Sequence, residues 1–168
     1  IQVIYNPILV KKEDILDFNE LHGRLGVEPG KYFYTVSQMI PHKNLSTLIK
    51  MMGKVIDTGR KLPEKLVISG VNGNAASRLK KLISEKGLQN NIILTGFVSN
   101  TLYKFCHTFL FPSIFEGFGM PPVEAMYFGA RVVTTKCTCI PEVTQGKAIY
   151  VDNPFDIDEW IEKICSGN

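Results

Sequence analysis

Two glutamates, Glu116 and Glu124, stand eight positions apart, with two glycines, two prolines and no other charge between them. Prolines suit the first turn of a helix, so we expect a helix over residues 121–128 with Glu124 in its first turn. No Ser, Thr, Asp or Asn directly precedes the prolines as a side-chain cap. The segment therefore predicts a helix start whose amides can bind an anion, with Gly117 and Gly119 allowing close approach.

The two carboxylates need a different partner, because they would repel a phosphate bound at the same helix start. An ionised carboxylate only accepts hydrogen bonds, so the hydroxyl groups of a sugar are natural partners. For Glu124, a favourable interaction with the helix dipole is an equally good explanation. Glu116 lies in a predicted loop, where that explanation does not apply.

Two further polar segments follow predicted strands. In residues 37–44 (SQMIPHKN), Lys43 directly precedes a helix and can neutralise a diphosphate, although such lysines are often only solvated. Asn44 is expected to cap that helix with its side chain. Residues 95–100 (TGFVSN) can present backbone groups to a planar ring or form an ordinary strand exit.

Alternating strands and helices must position these segments. Runs of β-branched and aromatic residues predict strands near residues 2–5 and over 31–37, 65–70, 91–96, 108–113, 130–135 and 148–151. Helical periodicity predicts helices over residues 13–25, 45–58, 74–86, 101–106, 121–128 and 157–166. This alternation indicates an α/β fold with a Rossmann-like, doubly wound parallel sheet. Ligands of such folds lie beyond the carboxyl ends of the strands, here the loops at 37–44, 70–74, 96–101, 113–120 and 135–141.

Composition limits the classes of function. A chain of 168 residues is about one domain, and we expect residues 1–168 to be one domain excised from a longer protein. The net charge of +3 suits an anionic small ligand and is too weak to indicate nucleic-acid binding. The spacing of the four cysteines predicts reduced thiols in a reducing compartment, with Cys106 and Cys165 buried in apolar patterns.

Taken in order, these segments resemble the C-terminal, donor-binding domain of GT-B glycosyltransferases, in particular glycosyltransferase family four. The family signature reads approximately P-S-x-x-E-G-F-G-x-P-x-x-E-A-M-x-x-G-x-x-V-V, and residues 112–133 read PSIFEGFGMPPVEAMYFGARVV. The segments PHKN, ISG, TGFVS and IPEV also fall where the family has them. The resemblance covers about residues 32–158 and implies that the N-terminal, acceptor-binding domain of the enzyme is absent.

The resemblance assigns a role to each site residue. Glu116, the catalytic residue, would meet hydroxyls of the donor sugar, and Glu124 would bind the ribose of the nucleotide. Lys43 would pair with the diphosphate, while Phe97 and Val98 would lie near the base. The backbone of the glycine turn and the helix start would hold the diphosphate: Gly117, Phe118, Gly119 and Met120.

The resemblance also implies a hexosyl transfer that retains anomeric configuration by same-face attack, with no metal and no cofactor besides the nucleotide-sugar substrate. Backbone amides, helix dipole and lysine would together stabilise the departing nucleoside diphosphate. The usual setting is a cytoplasmic, mannosyltransferase-like enzyme of polysaccharide or lipopolysaccharide assembly, which can act at the inner face of the membrane. A peripheral membrane contact would belong to the absent domain, and the chain alone would bind a nucleotide weakly and transfer no sugar.

Several alternatives stay open. The family often has glycine and arginine where Ser37 and Gln38 stand, so one phosphate-binding cation is missing. This departure is compatible with a non-catalytic α/β module that binds a nucleotide or docks a partner. A pair of glycosidase carboxylates is less favoured, because the glycine turn and proline-started helix suit phosphate. The D-x-D-like residues 156–158 are expected to start the last helix, with Asp156 as its cap, rather than bind a metal.

Overall fold

The structure, a computed structural model, describes residue 7 and residues 17–38, 40–96 and 100–166. In these ranges strands and helices alternate along the chain, and a 3-10 turn at Pro41–Lys43 follows the first strand. The strands are β1 (Tyr32–Val36), β2 (Lys65–Ser69), β3 (Ile92–Thr95), β4 (Thr108–Phe111), β5 (Val132–Thr135) and β6 (Ile149–Val151). The helices are α1 (Phe18–Leu25), α2 (Leu45–Thr58), α3 (Gly73–Glu85), α4 (Thr101–Phe105), α5 (Met120–Tyr127), α6 (Ile140–Val143) and α7 (Ile157–Cys165).

All neighbouring strands pair in parallel, and their order across the sheet is β3-β2-β1-β4-β5-β6. The chain moves outward in one direction from β1 to β3 and in the other direction from β4 to β6. This order confirms the predicted Rossmann-like, doubly wound sheet. The loops that leave β1 and β4 therefore diverge at the topological switch point, where such sheets form a ligand crevice.

Alternate residues of the strands pack into two hydrophobic cores, one on each face of the sheet. Phe33 of β1 packs into the core that includes α2, α3 and α7. Its neighbours Tyr32 and Tyr34 pack into the other core, with residues of α1, α4 and α5. Burial of β1 on both faces matches its largely apolar sequence, YFYTV.

Helix α2 has the predicted bounds, and the other predicted elements that the structure describes differ from prediction by a few residues. Residues 2–5, the start of the predicted helix at 13–25, and residues 97–99 lie outside the described part of the chain. The 3-10 turn and α6 were not predicted, because each is only three or four residues long and carries no periodic pattern.

Two sequence expectations about helices α5 and α7 are wrong. Helix α5 begins at Met120, before the prolines, so Glu124 lies beyond the first turn. The reason is Gly119, which adopts a left-handed φ of +82° and lets the chain enter the helix one residue early. The thiol of Cys165 is exposed at the end of α7, because the apolar face of that helix is formed by Trp160, Ile161 and Ile164.

Candidate functional site

The loops after β1 and β4 lie side by side at the switch point. The amide of Ile114 donates to the carbonyl oxygen of His42 at 2.8 Å, and Ser113 Oγ donates to the same oxygen at 3.2 Å. The rings of His42 and Phe115 also meet edge to face, with centroids 6.3 Å apart. These contacts bring together two segments that the sequence predicted separately as ligand-binding loops.

Lys43 and Glu116 form an ion pair between these loops. Lys43 Nζ lies 2.6 Å from Glu116 Oε1, and the two side chains are 18% and 9% exposed. Lys43 Nζ also lies 5.7 Å from the centre of the Phe111 ring, at the end of β4. Because the pair is shielded from solvent, its attraction is screened less than that of a surface pair. Both residues are sequence-predicted site residues, but the sequence did not predict their contact.

The loop after β5 holds the backbone around Glu116. The amide of Glu116 donates to Thr138 Oγ1 at 3.2 Å. Cys139 Sγ donates to the carbonyl oxygens of Glu116 at 3.5 Å and of Phe118 at 3.2 Å. Thr138 has a φ of +50°, which is rare for a β-branched residue. Residues 135–141 were expected at the binding edge, but no sequence signal gave Thr138 and Cys139 this supporting role.

The start of α5 is the candidate anion site, and its binding of an anion stays a prediction. Gly119 occupies the cap position, and no side chain of the described residues caps it. A Cβ atom added to Gly117 would meet nothing within 4 Å, so a ligand has room directly over this residue. A helix N-terminus with open space above it and a lysine beside it suits a phosphate group.

Glu124 lies half-buried on α5 and contacts a tyrosine of α4. Tyr103 Oη donates to Glu124 Oε2 at 3.0 Å. Burial is the main cause that raises the pKa of Tyr103 well above its ordinary value, so the hydroxyl stays protonated and can donate. Tyr103 was not predicted as a site residue, because a buried aromatic residue at helical spacing is usually a core residue.

Asn44 does not cap α2 with its side chain, contrary to expectation. It stands at the cap position with a left-handed φ of +51°. Its Nδ2 donates instead to the carbonyl oxygen of Pro154 at 3.0 Å, while Oδ1 accepts from Thr47 Oγ1 at 2.8 Å. The side chain therefore ties the Lys43 loop to the segment after β6.

The structure confirms the capping role of Asp156. Its Oδ1 accepts from the amides of Asp158 at 2.9 Å and Glu159 at 3.2 Å. The carboxylate of Glu159 accepts from the amides of Asp152 and Asn153, which fixes the chain that enters α7. These acidic residues therefore form a helix start.

Gln38 is exposed beside the Lys43 loop. Phe97 and Val98 lie outside the described residues, and their contact with a base stays a prediction. Within residues 17–38, 40–96 and 100–166, no group of three His, Cys, Asp or Glu side chains is placed to hold a metal ion. Across the same ranges, no helix is long and apolar enough to cross a membrane.

The fold and the switch-point loops define a Rossmann-like domain with a candidate anion site. Residues 17–166 match the family of glycosyl transferases group 1, and the chain belongs to that family. It is 31% identical to the serotype-specific mannosyltransferase WbdA of Escherichia coli over 137 residues, 78% of this chain and 17% of WbdA. It is 32% identical to the O-antigen chain mannosyltransferase RfbU of Salmonella typhimurium over 164 residues, 95% of this chain and 42% of RfbU.

A solved structure shares the fold. The Anabaena protein HepE, crystallised in complex with UDP, superposes with a TM-score of 0.73 at 22% identity. The match covers 94% of this chain and 43% of HepE. The chain thus spans less than half the length of each of these three proteins.

Proposed function

We propose that the chain is the donor-binding, C-terminal domain of a GT-B glycosyltransferase of family four. The observation that carries the proposal is the contact between Lys43 and Glu116 at the β1–β4 switch point. In a nucleotide sugar, the distal phosphate is bonded directly to the sugar ring. A cation for the phosphate and a carboxylate for the sugar hydroxyls must therefore be neighbours, as these two residues are.

The diphosphate would bind between Lys43 and the start of α5. Its charge would interact with the lysine and with the positive end of the helix dipole. The backbone over Gly117 and Gly119 gives it room for close approach. The backbone of Phe118 and Met120 would also hold the diphosphate.

The rest of the donor would extend to both sides of the diphosphate. Glu116 would accept hydrogen bonds from hydroxyls of the sugar, and it is the proposed catalytic residue. Glu124 would accept from the hydroxyls of the ribose. Phe97 and Val98 would contact the base.

The proposed reaction is a hexosyl transfer with retention of configuration, by attack on the face from which the nucleotide leaves. As the bond from sugar to phosphate breaks, negative charge grows on the departing diphosphate. Lys43 and the dipole of α5 would stabilise that charge. We propose that these groups suffice and that the reaction is independent of a metal ion.

The names of the relatives support a more specific substrate and setting. WbdA and RfbU are both named as mannosyltransferases, and RfbU acts on the O-antigen chain. We therefore propose a mannosyltransferase-like enzyme of polysaccharide or lipopolysaccharide assembly in the cytoplasm. A second domain would bind the acceptor and provide any contact with the membrane.

Calorimetric titration of the 168-residue chain with UDP, GDP and ADP tests this proposal. One nucleotide should bind with a Kd on the order of micromolar to low-millimolar, with or without a chelator of divalent metals. Lys43→Ala and Glu124→Ala should each weaken this binding by about tenfold or more. Failure of all three nucleotides to bind, or binding that needs a metal, would contradict the proposal.

Titration with the matching nucleotide sugar separates an enzyme from a non-catalytic module. In a donor domain, Glu116 adds contacts to the sugar, so a particular sugar should change the affinity and Glu116→Gln should remove the change. If the chain binds the nucleotide and the nucleotide sugar with the same affinity, a nucleotide-binding or partner-docking module is the better account. The absence of arginine at Gln38 favours that account.

A further inference from the structure

The ring of Tyr103 is fixed on three sides by other aromatic rings. The residue is 3% exposed. Its ring meets Tyr34 edge to face at 5.0 Å, lies tilted against Phe109 at 5.1 Å, and stacks on Phe128 at 5.9 Å with an interplanar angle of 6°. Since packed aromatic rings have little freedom to move, these contacts also fix the position of the hydroxyl group.

That hydroxyl donates to Glu124 Oε2 at 3.0 Å. Among the described residues, Tyr103 is the one hydrogen-bond donor to this carboxylate. The last torsion of a glutamate side chain is broad, so an unsupported carboxylate can rotate. A single hydrogen bond from a fixed donor restricts that rotation.

We propose that Tyr103 is a positioning residue, which orients the carboxylate of Glu124 to accept the two ribose hydroxyls of the nucleotide. The proposal rests on the proposed function, since that function assigns the ribose to Glu124. A carboxylate has about four acceptor sites, so one bond from Tyr103 leaves sites for both hydroxyls. The contact also explains why a buried core residue directs its polar atom at the predicted binding edge.

The hydroxyl of Tyr103 acts through pre-organisation. A carboxylate that is already oriented loses less freedom when the ribose binds. Removal of the hydroxyl should therefore weaken ribonucleotide binding by about threefold to tenfold. It should leave unchanged the affinity for a nucleotide that lacks the ribose hydroxyls, because that ligand does not use the carboxylate.

The test compares Tyr103→Phe with Tyr34→Phe in the full chain. Tyr34 is a matched control, since it is a tyrosine that is 2% exposed and whose ring also contacts Phe109. Its hydroxyl forms a hydrogen bond with Ser69 Oγ at 2.7 Å and not with Glu124. Each variant is titrated with UDP and GDP and with their 2′,3′-dideoxy analogues. Thermal melting verifies that each variant is folded.

Tyr103→Phe should reduce the preference for the ribonucleotide over its dideoxy analogue, and Tyr34→Phe should not. In the Glu124→Gln background, Tyr103→Phe should have no further effect on that preference. If Tyr103→Phe weakens the binding of the ribonucleotide and of its analogue equally, or changes neither affinity, the proposal is overturned. Tyr103 would then be only a core residue.

Other outcomes separate this proposal from the proposed function. If the wild-type chain binds neither nucleotide, the proposed function fails, and the role of Tyr103 fails with it. If the wild type binds ribonucleotide and analogue equally, donor binding stands and the role of Tyr103 is wrong.

A crystal structure of the wild-type chain with the bound nucleotide gives an independent measurement if Tyr103→Phe does not fold. The bond from Tyr103 Oη to Glu124 Oε2 should persist while the ribose hydroxyls contact the same carboxylate. A Glu124 side chain that leaves Tyr103 to reach the ribose would overturn the proposal.

Discussion

Lys43 Nζ and Glu116 Oε1 are 2.6 Å apart, joined across the loops that leave β1 and β4. In this state the lysine and the carboxylate neutralise each other. A diphosphate that binds at the start of α5 must therefore compete with Glu116 for Lys43. Because the pair is mostly shielded from solvent, removal of one partner leaves the other as an uncompensated charge.

Lys43→Ala should weaken binding of the nucleoside diphosphate about tenfold to a hundredfold, or about 1.4–2.8 kcal/mol. The variant loses a cation for the diphosphate and leaves the negative charge of Glu116 beside it. Calorimetry measures the change. Lys54→Ala is the matched control, because Lys54 lies on α2 and pairs at 2.5 Å with Asp158 of α7 instead of a residue of these loops. Equal affinities of the Lys43 variant and wild type would contradict the role of the lysine.

Glu116→Gln should increase the affinity for a nucleotide that carries no sugar, in contrast to Lys43→Ala. With the carboxylate neutralised, Lys43 is released to the diphosphate, and affinity should rise by up to about tenfold. Sugar transfer by the intact enzyme should be lost, because the neutral amide cannot replace the carboxylate. Glu28→Gln, an exposed glutamate before β1, should change neither quantity. A tenfold loss of nucleotide affinity in Glu116→Gln would show that the two residues do not compete as described.

Two glycines of the turn should respond differently to alanine. Gly117 has open space around it and no left-handed φ, so Gly117→Ala should leave the melting temperature unchanged and weaken nucleotide binding sterically. Gly119→Ala places a side chain at a φ of +82° and should destabilise the fold by about 1–2 kcal/mol. Gly23→Ala in α1 is the control for nucleotide binding, since an added Cβ there too meets nothing within 4 Å. Unchanged binding in Gly117→Ala would exclude a close approach of the diphosphate.

Cys139 should support nucleotide binding through the hydrogen bonds of its thiol and not through the reactivity of the thiol. Cys139→Ala removes the donor to the carbonyl oxygens of Glu116 and Phe118 and should weaken nucleotide binding by about threefold, close to 0.6 kcal/mol. Cys139→Ser keeps a donor and should be closer to wild type. Cys165→Ala, at an exposed thiol, should have no effect. Calorimetry on the three variants tests this order, and a serine variant weaker than the alanine variant would contradict it.

The sequence predicted the sheet well because its signals are local. The continuous apolar run of β2 and the helical spacing of α2 depend on neighbouring residues, and both elements appear where expected. The proline pair likewise placed the start of α5 to within one residue. The position of Glu124 within that helix was wrong because it depended on the φ of Gly119, which the residue type allows but does not require.

The contacts of the site depend on long-range geometry. The pairing of Lys43 with Glu116 requires β1 to lie beside β4, an order that no local pattern contains. The bond from Tyr103 to Glu124 similarly requires α4 and α5 to pack on the same face of the sheet. Candidate residues such as Lys43 and Glu116 could therefore be predicted from the sequence, but their hydrogen-bond partners could not.

The central claim is that a nucleoside diphosphate binds at the β1–β4 switch point. Amide chemical-shift mapping of the chain, titrated with UDP and with GDP, tests this location directly. The account predicts that the largest shifts occur at Gly117, Gly119 and Lys43. A cavity of about 490 Å³, lined by Lys31 and His107, lies at the other end of the sheet, where the strands begin. Shifts that cluster around that cavity instead would contradict the account.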